Sequence, residues 1–191
     1  MINARVGITA NRLLPDGTTR TENVTAVIVR PLRGTHCRLL RKWHEVPQMR
    51  VEEDAEWDWS RLLAECAAVA LEGTKSYESF GLTCDRDIQA AMIIETRARK
   101  CRHTRRPIVY VEYIAAAPWN RSNIQAPPRF KGCGGTLLEA AREWSRRIGA
   151  GGALGLHSKE RACSFYERMG FVDLGRDDEE NGLHYFEFNP R

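Results

Sequence analysis

The 191-residue sequence has no apolar run near the roughly 18 residues that span a bilayer, so no transmembrane helix is expected. Its first residues, Met1 to Gly7, lack the apolar core of a secretory signal, which makes a cytoplasmic location the expectation. Six cysteines (Cys37, Cys66, Cys84, Cys101, Cys133, Cys163) are scattered singly with no Cys-x-x-Cys pair, a pattern of reduced thiols and not of a disulfide framework. Cys101-Arg102-His103 and His36-Cys37 come nearest to ligand spacing. Neither is paired, and Cys101 lies among arginines that repel a cation, so no metal is expected. Internal repeats and low-complexity tracts are also missing. With 42% hydrophobic and 28% charged residues the composition excludes disordered and collagen-like chains, and one domain over residues 1–191 is the simplest organisation.

What charge there is falls in opposed blocks. Residues 1–50 carry nine basic and three acidic side chains, and residues 51–80 two and eight. Residues 81–131 carry ten and four, and residues 132–191 eight and ten, so the net +4 is a small remainder. Arg97, Arg99, Lys100, Arg102, Arg105 and Arg106 form the densest basic cluster, on a predicted hairpin loop. Both a solvated tip and a grip on an anion fit it, whereas its lack of interleaved aromatics argues against nucleic acid. Glu52, Glu53, Asp54, Glu56 and Asp58, interleaved with Trp57 and Trp59, suit either a solvated helix lead-in or a surface for a cationic amine.

Periodicity predicts a mixed α/β (α+β) fold. The β-branched run Val24–Val29 reads as a strand, and an earlier one near Arg5–Ala10 can pair with it across Asp16-Gly17, so residues 1–23 are an N-terminal extension or an extra strand. Leu39, Leu40, Trp43 and Val46 suggest a helix ended before Pro47. Trp59–Glu72 is a helix capped by Asp58 and closed by Gly73. Strands follow at Tyr77–Thr83, Ile88–Thr96 and Ile108–Ala117. Then come a helix near Gly134–Ile148, a short strand at Ala153–Leu156, a helix at Lys159–Met169 and a strand at Leu183–Phe188.

The cluster Gly132-Cys133-Gly134-Gly135 before a helix is the kind of loop that brings backbone N–H groups against phosphate. Two phosphate motifs fail here. The cluster runs into Thr136-Leu137 where a P-loop has Gly-Lys-Ser/Thr, and Leu137 stands where a dinucleotide fingerprint has its third glycine.

Arg129-Phe130-Lys131-Gly132-Cys133-Gly134 does match the Arg/Gln-x-x-Gly-x-Gly/Ala pyrophosphate loop of acetyltransferases. Ala162-Cys163-Ser164-Phe165-Tyr166-Glu167-Arg168-Met169-Gly170-Phe171 looks like the A-x-x-F/L-Y-x-x-x-G-F block of the same group. On these two motifs, and on the order of elements around them, the chain resembles the GNAT superfamily of acyl-CoA-dependent N-acyltransferases from about Ile88 to Phe171. The resemblance implies a central, mostly antiparallel, twisted sheet flanked by helices and splayed at the acyl-CoA site. It also implies acetyl transfer from acetyl-CoA to a primary amine by direct attack in a ternary complex. The sequence departs from the family where Pro118 opens an insertion, residues 118–131, before the loop.

By that resemblance the backbone of Lys131, Gly132, Cys133, Gly134, Gly135 and Thr136 cradles the pyrophosphate, with Arg129 and Lys131 beside it. Cys133 reads as a small filler and not as a nucleophile. Ala115, Ala116 and Ala117 supply close-approaching backbone for the thioester and pantetheine. Tyr166 stands where the family has its proton donor, or is a half-buried structural tyrosine. Glu112, on the same strand face as Ala116, is the candidate base, or an ion-pair partner of the basic loop, with His157 and His184 as fallbacks. Expected partners are acetyl-CoA and an amine-bearing small molecule or protein, with no membrane and no nucleic acid. A homodimer is compatible with the sequence, which does not set the oligomeric state. The alternative function is a non-catalytic acyl-CoA-binding module acting through protein or nucleic-acid contacts.

Overall fold

The computed structural model describes residues 4–52, 54–97 and 99–190. In chain order its elements are β1 (Ala4–Leu13), β2 (Thr19–Val29), α1 (Gly34–Arg41), α2 (Trp59–Leu71), β3 (Tyr77–Cys84), β4 (Asp87–Glu95), β5 (Val109–Ala116), β6 (Phe130–Lys131), α3 (Cys133–Arg147), β7 (Leu154–Ser158), α4 (Glu160–Arg168), β8 (Val172–Asp177) and β9 (Leu183–Phe188). Short 3-10 turns at Lys42–Glu45, Pro47–Val51, Pro118–Asn120 and Asp178–Glu180 complete the list. The fold is mixed α+β with a large, mostly antiparallel sheet, the class expected of the sequence. Its residues divide into two compact units. The first takes residues up to Ala67, Ser79–Met92 and Ile114–Leu137, and the second Ala68–Glu78, Ile93–Tyr113 and everything from Leu138 on.

In the first unit the strand order is β6-β1-β2-β3-β4. β2, which carries the β-branched run, pairs antiparallel with β1 from Ala4↔Ile28 to Leu13↔Thr19, so β1 is the extra strand. Asp16 accepts the Thr18 N–H at 2.9 Å and closes the connecting turn with Gly17 at φ +81°. Asp85 and Arg86 sit at φ +51° and +64°, the two-residue conformation that suits the right-handed twist of a β3–β4 hairpin. Around these strands pack Trp43 and Trp59, 1% and 3% exposed, edge to face at 6.0 Å. The Trp43 indole N–H donates to the Ile88 carbonyl at 3.3 Å, which removes the cost of burying it. Asp58 caps α2 as expected, accepting from the Ser60 and Arg61 amides at 2.9 and 3.2 Å.

In the second unit the order is β5-β7-β9-β8. The β5–β7 pair is parallel, from Val109↔Leu154 to Val111↔Leu156, while β9 is antiparallel to both β7 and β8. Leu138, Ala141, Leu154, Leu156, Phe171 and Phe186 form its core. β8 has no clear signal in the sequence because none of its residues is buried and its register slips between Asp173 and Arg176. β6, two residues long, is below the length at which alternation can be read.

The basic segment 97–106 is not a free hairpin tip. Cys101 is fully buried, its N–H donates to Arg106 O at 2.9 Å, and its thiol donates to Glu187 at 2.8 Å. Arg99 lies over the Tyr110 ring at 4.4 Å. Arg102 lies over Tyr185 at 4.1 Å and pairs with Asp177. Two of its charges are thus consumed internally, which local sequence could not reveal.

Candidate active site

In the first unit the glycine loop turns on Gly132, at φ +83°, a conformation glycine adopts without the Cβ penalty. Its carbonyl accepts the Thr136 N–H at 2.9 Å and the Thr136 hydroxyl at 3.0 Å, starting α3 one residue earlier than periodicity suggested. The amides of Cys133, Gly134 and Gly135 therefore form the first turn of α3, where helix geometry provides no carbonyl partner. A concave set of N–H groups backed by a helix dipole fits a pyrophosphate. Lys131 is exposed at its edge. Arg129 is otherwise engaged: its guanidinium pairs with Asp85 at 3.1 Å and lies over the Phe130 ring at 5.3 Å. Burial pushes the Cys133 thiol up to about 12, so it is a protonated filler at neutral pH.

Gln89 and Asn120, two residues sequence reasoning missed, hold this loop in place. Fully buried Gln89 accepts from the Trp119 indole at 2.8 Å and from the Asn120 amide at 3.0 Å. Asn120 in turn accepts the Phe130 N–H at 3.0 Å. The insertion is therefore a tethered structure rather than a loose surface loop. Arg121 strengthens it by donating to the Ala116 carbonyl at 2.8 Å and to both oxygens of Asp54, at 2.6 and 2.5 Å.

That clip alters the reading of the acidic block. Glu52 is buried, with Arg121 at 3.3 Å and Asn123 at 2.8 Å, so it and Asp54 neutralise the insertion's own cation. Trp59 is core. Glu53 lies outside the described residues. Glu56 and Asp58, by contrast, line a pocket of about 320 Å³ in which Arg41 and His44 also stand, so it is not a purely acidic surface.

In the second unit the β5–β7 ladder ends at Val111↔Leu156, although β5 continues to Ala116 and β7 to Ser158. Past Val111 the β5–β7 ladder has no further pairs among the described residues. Ala115 and Ala117 are buried, Ala116 half-buried, and the Ala117 N–H is taken by the Gln89 carbonyl at 3.0 Å within the first unit.

Glu112 sits on β5 just past the last ladder residue. Its Oε2 is buried and has no hydrogen-bond partner. Desolvation holds this carboxyl above its ordinary range. Lys75 and Arg99 pull the other way, and the charges of Glu95 and Glu180 add to the rise. A carboxylate that is half-buried, unpaired and raised is ready to take a proton. The fallback histidines are both engaged: His157 bridges the Tyr110 hydroxyl at 2.6 Å and Asp177 at 3.0 Å, and His184 Nδ1 meets Asp173 at 2.8 Å.

Tyr166 lies on α4, 7% exposed, packed edge-on against Phe165 and Phe171 at 5.1 and 5.8 Å. Burial raises its phenol above the usual value, with the Cys163 thiol adding to the rise, so it stays protonated at neutral pH. Glu112 and Tyr166 both belong to the second unit, and the glycine loop belongs to the first.

Residues 121–189 match the family model described as an acetyltransferase (GNAT) domain. No curated protein matches. Among solved structures, the chain is similar to a putative GNAT-family acetyltransferase from Desulfovibrio desulfuricans (18% identity, TM-score 0.60, covering 86% of this chain and 98% of that one). It is also similar to the GNAT domain of S. lividans PAT (12%, TM-score 0.54, 95% and 97%). A third is PaiA N-acetyltransferase from Thermoplasma acidophilum, solved in complex with coenzyme A (15%, TM-score 0.52, 85% and 99%). The GNAT resemblance carried by the two sequence motifs is thereby sustained in both domain match and fold.

Proposed function

We propose that this chain, whose fold and domain match are those of the GNAT superfamily, is an acetyl-CoA-dependent N-acetyltransferase acting on a primary amine. The observation that carries this reading is the Gly132 turn, which opens α3 so that the amides of Cys133, Gly134 and Gly135 stand free for an anion at the position of the pyrophosphate motif. In the second unit, Glu112 with an unpartnered carboxylate oxygen and Tyr166 with a protonated phenol are the base and acid types that amide formation from a thioester requires.

In this reading the first-turn amides of α3 and Lys131 hold the pyrophosphate, and Ala115–Ala117 present backbone to the thioester and pantetheine. Arg129 contributes by bracing the loop through Asp85 and not by gripping phosphate. Glu112 takes a proton from the ammonium, directly or through water. The freed nitrogen lone pair attacks the thioester carbonyl, the C–S bond breaks as the tetrahedral intermediate collapses, and Tyr166 gives its proton to the departing thiolate. The second proton lost from nitrogen restores the phenol through water, and Glu112 returns its own to solvent, for a net release of one proton.

A thiol-release assay with acetyl-CoA against amines tests the reading, using polyamines, aminoglycosides and lysine peptides. Amine-dependent release supports it. Coenzyme A binding with no turnover on any amine would overturn it in favour of a binding module.

A further inference from the structure

Three side chains far apart in sequence meet in the second unit. Cys163 Sγ, a carboxylate oxygen of Asp173 and a ring nitrogen of His184 all lie within 4.8 Å of one another. They come from α4, β8 and β9, so no spacing rule could have joined them. The register slip in β8 falls between Asp173 and Arg176, and such irregularities re-aim side chains. Here the Gly175 N–H holds Asp173 Oδ1 at 2.8 Å, which leaves Oδ2 on His184 Nδ1 at 2.8 Å. The other imidazole nitrogen, His184 Nε2, is buried without a hydrogen-bond partner. A thiol, a carboxylate and an imidazole that converge within 4.8 Å form the mixed donor set that a late first-row cation takes.

We propose that Cys163, Asp173 and His184 form a binding site for a divalent cation of the zinc class. Sulfur, imidazole and carboxylate donors favour zinc and neighbouring late first-row metals over magnesium or calcium, which prefer all-oxygen sites. Two donors on one such ion stand roughly 3–4 Å apart, so side-chain adjustments of about 1 Å close the set. Binding ionises the Cys163 thiol, which now donates weakly to the Lys159 carbonyl at 3.5 Å, and releases its proton to solvent. Cys163 and Asp173 are partly accessible, leaving an entry path and a fourth position for water. The ion would clip α4, the helix carrying Tyr166, to β8 and β9. The site stands independently of the proposed acetyl transfer.

The test uses the full-length protein, reduced and freed of metal with a chelator, and reads binding apart from activity. Cobalt(II) as probe is expected to produce a thiolate-to-metal charge-transfer band, and zinc to raise the unfolding midpoint. Cys163→Ser, nearly isosteric, should abolish the band. His184→Gln should keep Cys163 but weaken cobalt binding at least tenfold. Unfolding curves in chelator verify that both variants fold. A wild-type protein without the band, or undiminished binding in either folded variant, overturns the proposal.

Discussion

Glu112 and Glu187 belong to the same compact unit and are the same chemical group, yet their surroundings are opposite. Glu187, 1% exposed, accepts from the Cys101 thiol at 2.8 Å, the Arg102 amide, the Tyr185 hydroxyl at 3.0 Å and the Asn189 amide at 3.2 Å. Burial alone would raise its pKa, but these donors outweigh burial and hold it below the ordinary range. Glu112 has Oε2 buried with nothing to accept from, and desolvation carries it upward. The first carboxylate ties the 97–106 segment to β9. The second is held in a state that costs stability, as reactive groups often are.

The largest expected effect falls on Tyr166, the proposed proton donor. Tyr166→Phe should lower kcat on the order of 10²–10⁴-fold while leaving the acetyl-CoA KM nearly unchanged, because only the proton donor is lost. Steady-state thiol release measures both, and an unchanged kcat removes Tyr166 from the chemistry. Glu112→Gln comes next, with kcat lower by roughly 10²-fold or more and no loss of stability in urea unfolding. If it destabilised the protein as much as Glu187→Gln, the contrast between the two acids would collapse. Glu187→Gln itself should cost about 1–3 kcal/mol of folding free energy by leaving charge-assisted donors mismatched, with kcat largely retained.

The subtlest effect is in pH. Glu187, with its folded pKa depressed, contributes stability above the ordinary value of 4.5 and loses it as pH falls through the folded value. Glu112, raised, contributes below 4.5 and loses that contribution as pH rises through its folded value. Relative to wild type, Glu187→Gln should therefore worsen, and Glu112→Gln improve, as pH rises through the acid range. Denaturation curves over about pH 3.5 to 7 would show the divergence. Parallel curves would mean the two sites are electrostatically alike.

Where local pattern determined the outcome, it could be read in advance. The Asp58 cap, the Val24–Val29 strand, the glycine turn and the tyrosine-bearing α4 all follow from residues within a turn or two of one another. β9 was found at its observed bounds, Leu183–Phe188. What escaped depends on partners distant in sequence: Asp85 taking Arg129, Gln89 holding Asn120, Arg121 drawing Glu52 and Asp54 inward, and Glu187 capturing Cys101. Charge blocks counted along the chain could not show which charges the fold spends on itself. That is why the basic cluster and the acidic block both looked freer than they are.

The early end of the β5–β7 ladder has a consequence in isotopic exchange. Amides locked between paired strands trade hydrogen for deuterium only when the sheet opens, whereas unladdered amides trade whenever water reaches them. On the β7 side of β5, N–H groups beyond Val111 should therefore label ahead of those in the ladder with Leu154–Leu156. If the pantetheine arm of acetyl-CoA completes that edge as a strand would, saturating cofactor should slow labelling of the Glu112–Ala116 peptide and leave Val109–Val111 unchanged.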